Sequence, residues 1–361
     1  MTTRTGNDED NGVVQEDDGV LVEASDLTSL VQDHFPPVLH AFGYGSGVFP
    51  QQNKADPGSQ SQRMIDMILV VDSAASFHRE NLRHNPQHYS TRHAAYATWL
   101  TKAIPAHVFF LPDVEVQHKM SNGNHVGTIG SNTITIKYGV VEKADLMDDL
   151  NDWKYLYLAG RLHKPTLSLM QDVEIREAQQ ERNLPAAVCA SLLLMQSNGL
   201  GDHDDHKGDD LLVSCDQVFQ QIAKLSYSGD PRVSLGGEDP NKIRKLVHGP
   251  GQFGRFLDLY RPILRDLSNE GLLSVVEKND SNSGSNSSIP QIQWNPQEAN
   301  DALWKKLPGP LQSNDRGLAV ALRQTVFYSA SCQMIKGILT AGVTRSTRYV
   351  FAKLSKGVLK R

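Results

Sequence analysis

The stretch Phe42-Gly43-Tyr44-Gly45-Ser46-Gly47-Val48-Phe49 decides how this chain reads, together with Asp66 inside the apolar run Met64-Ile65-Asp66-Met67-Ile68-Leu69-Val70-Val71-Asp72. Glycines on both sides of Ser46 let backbone N–H groups come close to phosphate oxygens, and the Ser46 hydroxyl adds a donor. A carboxylate inside an apolar strand is costly to bury unless it is paired or holds a metal ion. Gly45, Ser46 and Gly47 are therefore read as a cradle for a nucleoside triphosphate, and Asp66 as the ligand of Mg2+ beside it. Each signal has a plain alternative: a Gly-Ser-Gly turn is most often only a turn, and an Arg or a backbone amide can satisfy a lone Asp.

Metal-dependent nucleotidyl transfer commonly uses two carboxylates on alternate strand residues, which share a face about 7 Å apart. Here the position two before Asp66 is Met64. Asp72 has the right parity but lies about 20 Å along the strand, so it reads as the cap of the following helix. A second carboxylate must come from a neighbouring strand. Glu115, in Val108-Phe109-Phe110-Leu111-Pro112-Asp113-Val114-Glu115-Val116, is the candidate, with an outward-facing strand residue as the alternative. Lys137, in Ile134-Thr135-Ile136-Lys137-Tyr138-Gly139-Val140-Val141, can place a point charge on the triphosphate, with a lysine on the solvent face of the strand as the alternative. Arg161 and Lys164 stand three apart at a helix end, where cations also favour the helix dipole. The run Asp202-His203-Asp204-Asp205-His206 has metal-binding composition but no apolar scaffold, and reads as a solvated loop.

The composition bounds these readings. The chain has 361 residues, 39% of them hydrophobic, enough for a sizeable core and two domains. A net charge of -5 argues against a general nucleic-acid binder, whose affinity rests on a cationic surface. Cys189, Cys215 and Cys332 are odd in number and in no ligand spacing, which predicts buried thiols in a reducing compartment. No run reaches the ~20 apolar residues of a membrane span. The first twenty residues carry six Asp or Glu and one Arg, so no removable targeting signal is read there.

Along the chain, residues 1–24 form an acidic head expected to be disordered, and Ser25-Asp26 can cap a helix ending near His34. Strands are predicted at 64–71, 107–117 and 125–141, with helices at 74–84 and 89–103 between the first two. Leu146, Leu150, Trp153 and Tyr157 recur at helical spacing, which predicts one helix capped by Asp145 and stopped by Pro165. From 171 the chain turns mainly helical, with patterns near 184–197, 215–226 and 316–339 and flexible insertions at 201–210 and 279–288. At 341–361 Val350, Phe351, Leu354 and Val358 fall in an arc of about 100°, with Arg345, Arg348, Lys353, Lys356 and Lys360 around it. This basic amphipathic helix can dock on an anionic membrane surface or pack on the domain. The fold class is therefore α+β, with a mixed-sheet domain over 25–170, a helical domain over 171–340 and the terminal helix.

With those residues in view, the chain resembles the mitochondrial translocator assembly and maintenance family, the peripheral matrix-side CDP-diacylglycerol synthases. The matching blocks are FPPVLHAFGYGSGVFPQ at 35–51, IDMILVVD at 65–72, FHRENLRHNPQHYS at 77–90, IKYGVV at 136–141, YLAGRLHKP at 157–165, LSYSGDPR at 225–232 and KGILTAGVTRSTRYV at 336–350. The resemblance implies a nucleotidyltransferase-fold domain, a winged-helix-like second domain and a membrane-docking terminal helix. It implies the substrates CTP and phosphatidic acid, and a peripheral place on the matrix side of the mitochondrial inner membrane. Gly45, Ser46, Asp66, Lys137, Tyr138, Arg161 and Lys164 fall in the matching motifs. The chain departs from the family at His107-Val108-Phe109-Phe110-Leu111-Pro112 and in a polar insertion at 117–131. A nucleotidyltransferase with another acceptor shares the first-domain chemistry, whereas a scaffold that maintains membrane translocators needs no metal carboxylate.

Overall fold

The computed structural model describes residues 22–49, 64–118, 133–199, 202–203, 210–234, 239, 241–276, 289–312 and 317–341. The acidic head up to 21, most of the polar insertions and the terminal helix from 342 lie outside the described residues.

The first half is built on a five-stranded sheet of β1 (His40–Tyr44), β2 (Ile65–Val71), β3 (Val108–Gln117), β4 (Thr133–Glu142) and β5 (Leu167–Met170), in the order β3-β4-β2-β1-β5. The β2–β4 pair is parallel and the others are antiparallel, so the sheet is mixed. The period of two sorts β2 by face. Ile65, Met67, Leu69 and Val71 pack under α1 (Ala24–His34), α2 (Ala74–His84) and α3 (Ala94–Ala103), where Leu27, Leu30, Phe77 and Leu100 are buried. On the other face Ile68 and Val70 pack with Phe42 against α4 (Lys143–Asp152) and the helical half, and Asp66 shares that parity.

Ser73 rather than Asp72 caps α2, its hydroxyl accepting from the Ser76 N–H at 3.4 Å. The cap expected at Ser25-Asp26 is also displaced, because α1 starts one residue earlier after Glu23 and has no side-chain cap. The single helix expected from Asp145 to Pro165 is corrected. α4 follows Glu142 with no side-chain cap, Asp145 sits in its first turn and pairs with His107 and Lys102, and the helix stops at Trp153 in the left-handed conformation. The buried Asp149 carboxylate accepts the N–H groups of Tyr155, Leu156, Tyr157, Leu158 and Ala159 at 2.7 to 3.1 Å. Those amides turn inward to a side chain, so the chain wraps around Asp149 before the short α5 (Ala159–Leu162).

After β5 come α6 (Val173–Ala178), a π-helical turn and α7 (Leu184–Ser197), apolar almost all round and buried through most of its length. A second sheet of β6 (Asp202–His203), β7 (Leu211–Ser214), β8 (Ser274–Val276) and β9 (Gln291–Trp294) runs β6-β7-β9-β8. Around it lie α8 (Cys215–Leu225), α9 (Pro231–Ser234), α10 (Lys242–His248), α11 (Gln252–Asn269), α12 (Pro296–Lys305), α13 (Gly309–Gln312) and α14 (Leu318–Ala341). A capping box between Ser214 and Gln217 starts α8. Cys189 and Cys215 are buried free thiols, as composition predicts, and burial pushes both up to about 12, whereas Cys332 is only half-buried. One apolar core runs from the Phe42 face of the first sheet into the helical half, with Tyr260 donating to the His163 carbonyl at 2.9 Å across the join.

Candidate active site

The glycine turn closes on itself at the end of β1. Gly45 has a φ of +79°, which L side chains rarely adopt, and its carbonyl accepts the N–H groups of Val48 and Phe49. Ser46 stands exposed at the apex. A Cβ on Gly45 would sit 3.6 Å from Asp66 Oδ2, so the turn and the carboxylate share one face and one space. Gly47 has a different job. A Cβ there would meet the Met64 carbonyl oxygen at 2.2 Å, so its bare backbone lets the turn pack onto the start of β2.

Asp66 lies opposite Tyr44 on β1 and opposite Lys137 on β4. The Lys137 ammonium reaches Asp66 Oδ1 at 3.2 Å and lies 5.1 Å from the centre of the Phe110 ring. Arg161, carried by α5, lies over Tyr44 at 4.5 Å and near the Tyr157 and Phe110 rings at 5.2 and 5.8 Å. The Arg161 Nε and the Tyr44 hydroxyl are buried and have no hydrogen-bond partner. Burial opposes the Arg161 charge, but the phenols of Tyr44 and Tyr157 and the Asp66 carboxylate outweigh it and hold the group above its usual range. Burial likewise pushes the Tyr44 phenol up, with Arg161 pulling it down.

Lys164 donates to the Gly160 carbonyl at 2.5 Å and to the Ser226 hydroxyl at 2.7 Å. Burial first, then Arg161 and Lys242, push its ammonium down to about 7. Gly160 makes that contact possible, since a Cβ would meet Ser226 Cβ at 2.4 Å. The site thus lies where the first sheet and α5 meet the end of α8.

The structure brings Gly45, Asp66, Lys137 and Arg161 together, with Ser46 exposed on the turn and Lys164 beyond Arg161. Two expectations are corrected. Tyr138 follows Lys137 on one strand and so points to the opposite face. It is fully buried under α1 and α2, its hydroxyl accepting from Asn81 Nδ2 and contacting His88 Nδ1, both at 2.9 Å. Glu115 is exposed opposite Thr135, two strands over from Asp66 and one pair further along, about 12 Å away by strand spacing. It does not complete a carboxylate pair. Among the described residues no group of three or more His, Cys, Asp or Glu can hold a metal ion. Asp66 could supply one carboxylate ligand to a metal ion, and the described residues form no all-protein cage.

Sequence reasoning passed over Tyr44, Phe110, Tyr157, Tyr227 and Lys242. Tyr44 had a usable signal: it sits next to Gly45 and shares the inward parity of Phe42.

The sequence matches the family model described as "Phosphatidate cytidylyltransferase, mitochondrial" over residues 27–315 and 312–356. Relatives carrying that name include one from Saccharomyces cerevisiae, 31% identical over 92% of this chain and 70% of its own length. Others come from Caenorhabditis elegans, 29% identical over 88% and 94%, and Drosophila melanogaster, 30% identical over 92% and 98%. A solved nucleotidyltransferase-like protein from Exiguobacterium sibiricum aligns at 7% identity over 74% of this chain and 98% of that one, with a TM-score of 0.21, too low to bear on the fold. The ordered motifs, the glycine turn set against Asp66 and a family match spanning nearly the whole described chain agree, and the chain belongs to the mitochondrial phosphatidate cytidylyltransferase family.

Proposed function

We propose that the chain joins CTP and phosphatidic acid into CDP-diacylglycerol and releases pyrophosphate. Family membership supports the reading, and one geometric observation carries it: the Gly45 turn and the Asp66 carboxylate meet on a single face, with Lys137 and Arg161 beside them. A phosphate oxygen of the lipid attacks the α-phosphorus of CTP while the bond to the β-phosphate bridging oxygen breaks. The nucleophile arrives with the substrate, so the protein supplies position and charge neutralisation rather than a covalent intermediate.

Asp66 is the residue that would hold Mg2+, and the ion would supply charge neutralisation across the triphosphate. Ser46 and the turn amides orient the terminal phosphates. Lys137 stays on the triphosphate side through its pairing with Asp66. Arg161, with a buried N–H that has no partner, and Lys164 offset the repulsion between two phosphate anions.

The second half is read as winged-helix-like, its small sheet backed by α8 and α11. Among the described residues no helix is long and apolar enough to cross a membrane. We place the protein peripherally on the matrix side of the mitochondrial inner membrane. There the basic segment 341–361, which its sequence pattern reads as an amphipathic helix, docks on anionic lipid, and the product feeds phosphatidylglycerol and cardiolipin synthesis. Incubation with labelled CTP, Mg2+ and phosphatidic acid vesicles tests the activity. A labelled lipid with release of pyrophosphate is expected. Product only with a non-lipid acceptor, or none at all, overturns it.

A further inference from the structure

Beyond Arg161 lies a second group of cations, Lys164 and Lys242. Tyr227, two residues beyond the end of α8, has the Lys164 ammonium 5.2 Å from its ring centre and the Lys242 ammonium, from the start of α10, at 4.9 Å. Two cations therefore converge on one aromatic ring. Lys164 is fixed by neutral acceptors, the Gly160 carbonyl and the Ser226 hydroxyl, and no ion pair engages it among the described residues. The charges acting on it are both positive, Arg161 and Lys242.

Holding an ammonium beside two other cations, against neutral partners, is unfavourable unless an anion joins it. Asp66 acts on Arg161 and Tyr44, Tyr227 acts on Tyr44 as well, and Lys164 answers to Arg161 and Lys242, so Arg161 neighbours both groups.

Resting on the proposed function, we infer that Lys164, Tyr227 and Lys242 form a separate subsite for the phosphomonoester headgroup of the acceptor lipid, across Arg161 from the triphosphate cradle. The chemistry recognised is a terminal phosphate dianion, which either the lipid or the γ-phosphate of CTP can offer. Lys164 and Lys242 supply N–H donors to its oxygens, and the Tyr227 ring holds both ammonium groups at one spacing. Gly160 and Ser226 lock the shelf to the sheet domain, so the acceptor phosphate is presented from the helical side toward the α-phosphorus.

Lys242→Gln and Tyr227→Leu in the full chain test this, with Lys242→Arg as the charge-preserving control. Initial rates are measured against the mole fraction of phosphatidic acid in phosphatidylcholine vesicles, and CTP affinity is measured separately with Mg2+ and no lipid. The acceptor KM should rise about ten-fold in Lys242→Gln and Tyr227→Leu, with CTP affinity within two-fold of wild type and Lys242→Arg near wild type. Weaker CTP binding with an unchanged acceptor KM assigns the shelf to the triphosphate and overturns the inference, as does no change in either. Vesicle flotation gives a readout that does not need turnover. At matched surface charge, wild type should prefer phosphatidic acid over phosphatidylglycerol, and Lys242→Gln should lose that preference. If wild type makes no lipid product yet shows this preference, the catalytic reading fails and the subsite stands. If it shows none, the subsite fails.

Discussion

Asp66 and Lys137 face each other across the parallel β2–β4 pair and close a 3.2 Å ion pair, while Tyr138, one residue on, is buried on the other side of the sheet. The pair sets a charge balance at the mouth of the glycine turn. Replacing Asp66 by Asn removes the carboxylate and leaves Lys137 part-exposed to water, so the fold should survive. We expect turnover to fall at least ~100-fold with a melting temperature within a few degrees of wild type. Normal CTP-dependent turnover by Asp66→Asn removes Asp66 from the mechanism.

Tyr138→Phe separates the two faces of the sheet. Loss of the hydroxyl leaves buried Asn81 Nδ2 without that acceptor and deprives His88 of a partner, at a cost of about 1–3 kcal/mol. CTP affinity and the KM for both substrates should stay at wild-type values. Chemical denaturation alongside nucleotide binding checks this, and a selective loss of CTP affinity would return Tyr138 to the site.

Gly47→Ala and Gly45→Ala should differ in kind. At Gly47 the new methyl meets backbone 2.2 Å away, so the turn must lift from β2, with a loss of stability and a large rise in CTP KM. At Gly45 the methyl has room, and the strain of a positive φ costs about 1 kcal/mol. There stability should fall modestly and nucleotide affinity in proportion. Thermal melts and CTP titrations of both variants distinguish the two.

Lys164 should make acceptor use depend on pH. Its ammonium is pushed down to about 7 by burial, Arg161 and Lys242, with the Ser226 hydroxyl, the Gly160 carbonyl and the Tyr227 ring also facing it. The charged form that binds phosphate is populated below that pH and lost as pH rises through it. Acceptor KM should therefore climb between pH 6.5 and 8.5, less steeply once the dianion is bound, and Lys164→Arg should flatten the profile. In the free protein the sign for stability is the reverse. From about pH 7 to 10 the unfolded chain holds more protons at this position, so stability rises with pH.

Acid should unfold the protein through buried neutral histidines. Burial pushes His40, His78 and His88 down to about 4 and His163 to about 3. As pH falls from 6.5 toward 4 the unfolded chain takes up protons that the folded one refuses, and stability drops. For His78 the full effect is on the order of 3 kcal/mol. Both His78 nitrogens are engaged, with Tyr89 at 3.0 Å and Thr101 at 3.2 Å, so His78→Gln should lower stability at pH 7 and reduce the slope below 6.5. Urea midpoints at several pH values read both effects.

Local order is what the amino-acid sequence determined on its own. Apolar runs placed β2 and β3 within a residue or two, helical spacing placed α2, α7, α8 and α14, and glycines around a serine marked the turn that meets Asp66. Those features depend on near neighbours in the chain, where period and propensity act directly. The face of Tyr138 was also legible from alternation alone, and the motif match hid it. Folding in three dimensions decided the rest. The helix expected through to Pro165 breaks because Asp149 gathers five amides, and only packing keeps that carboxylate buried. Strand order sets Glu115 two strands from Asp66, and Ser226, Tyr227 and Lys242 reach Lys164 across more than sixty residues of sequence. Contacts at that separation are fixed by which surfaces bury each other, a property of the whole core that no local pattern encodes.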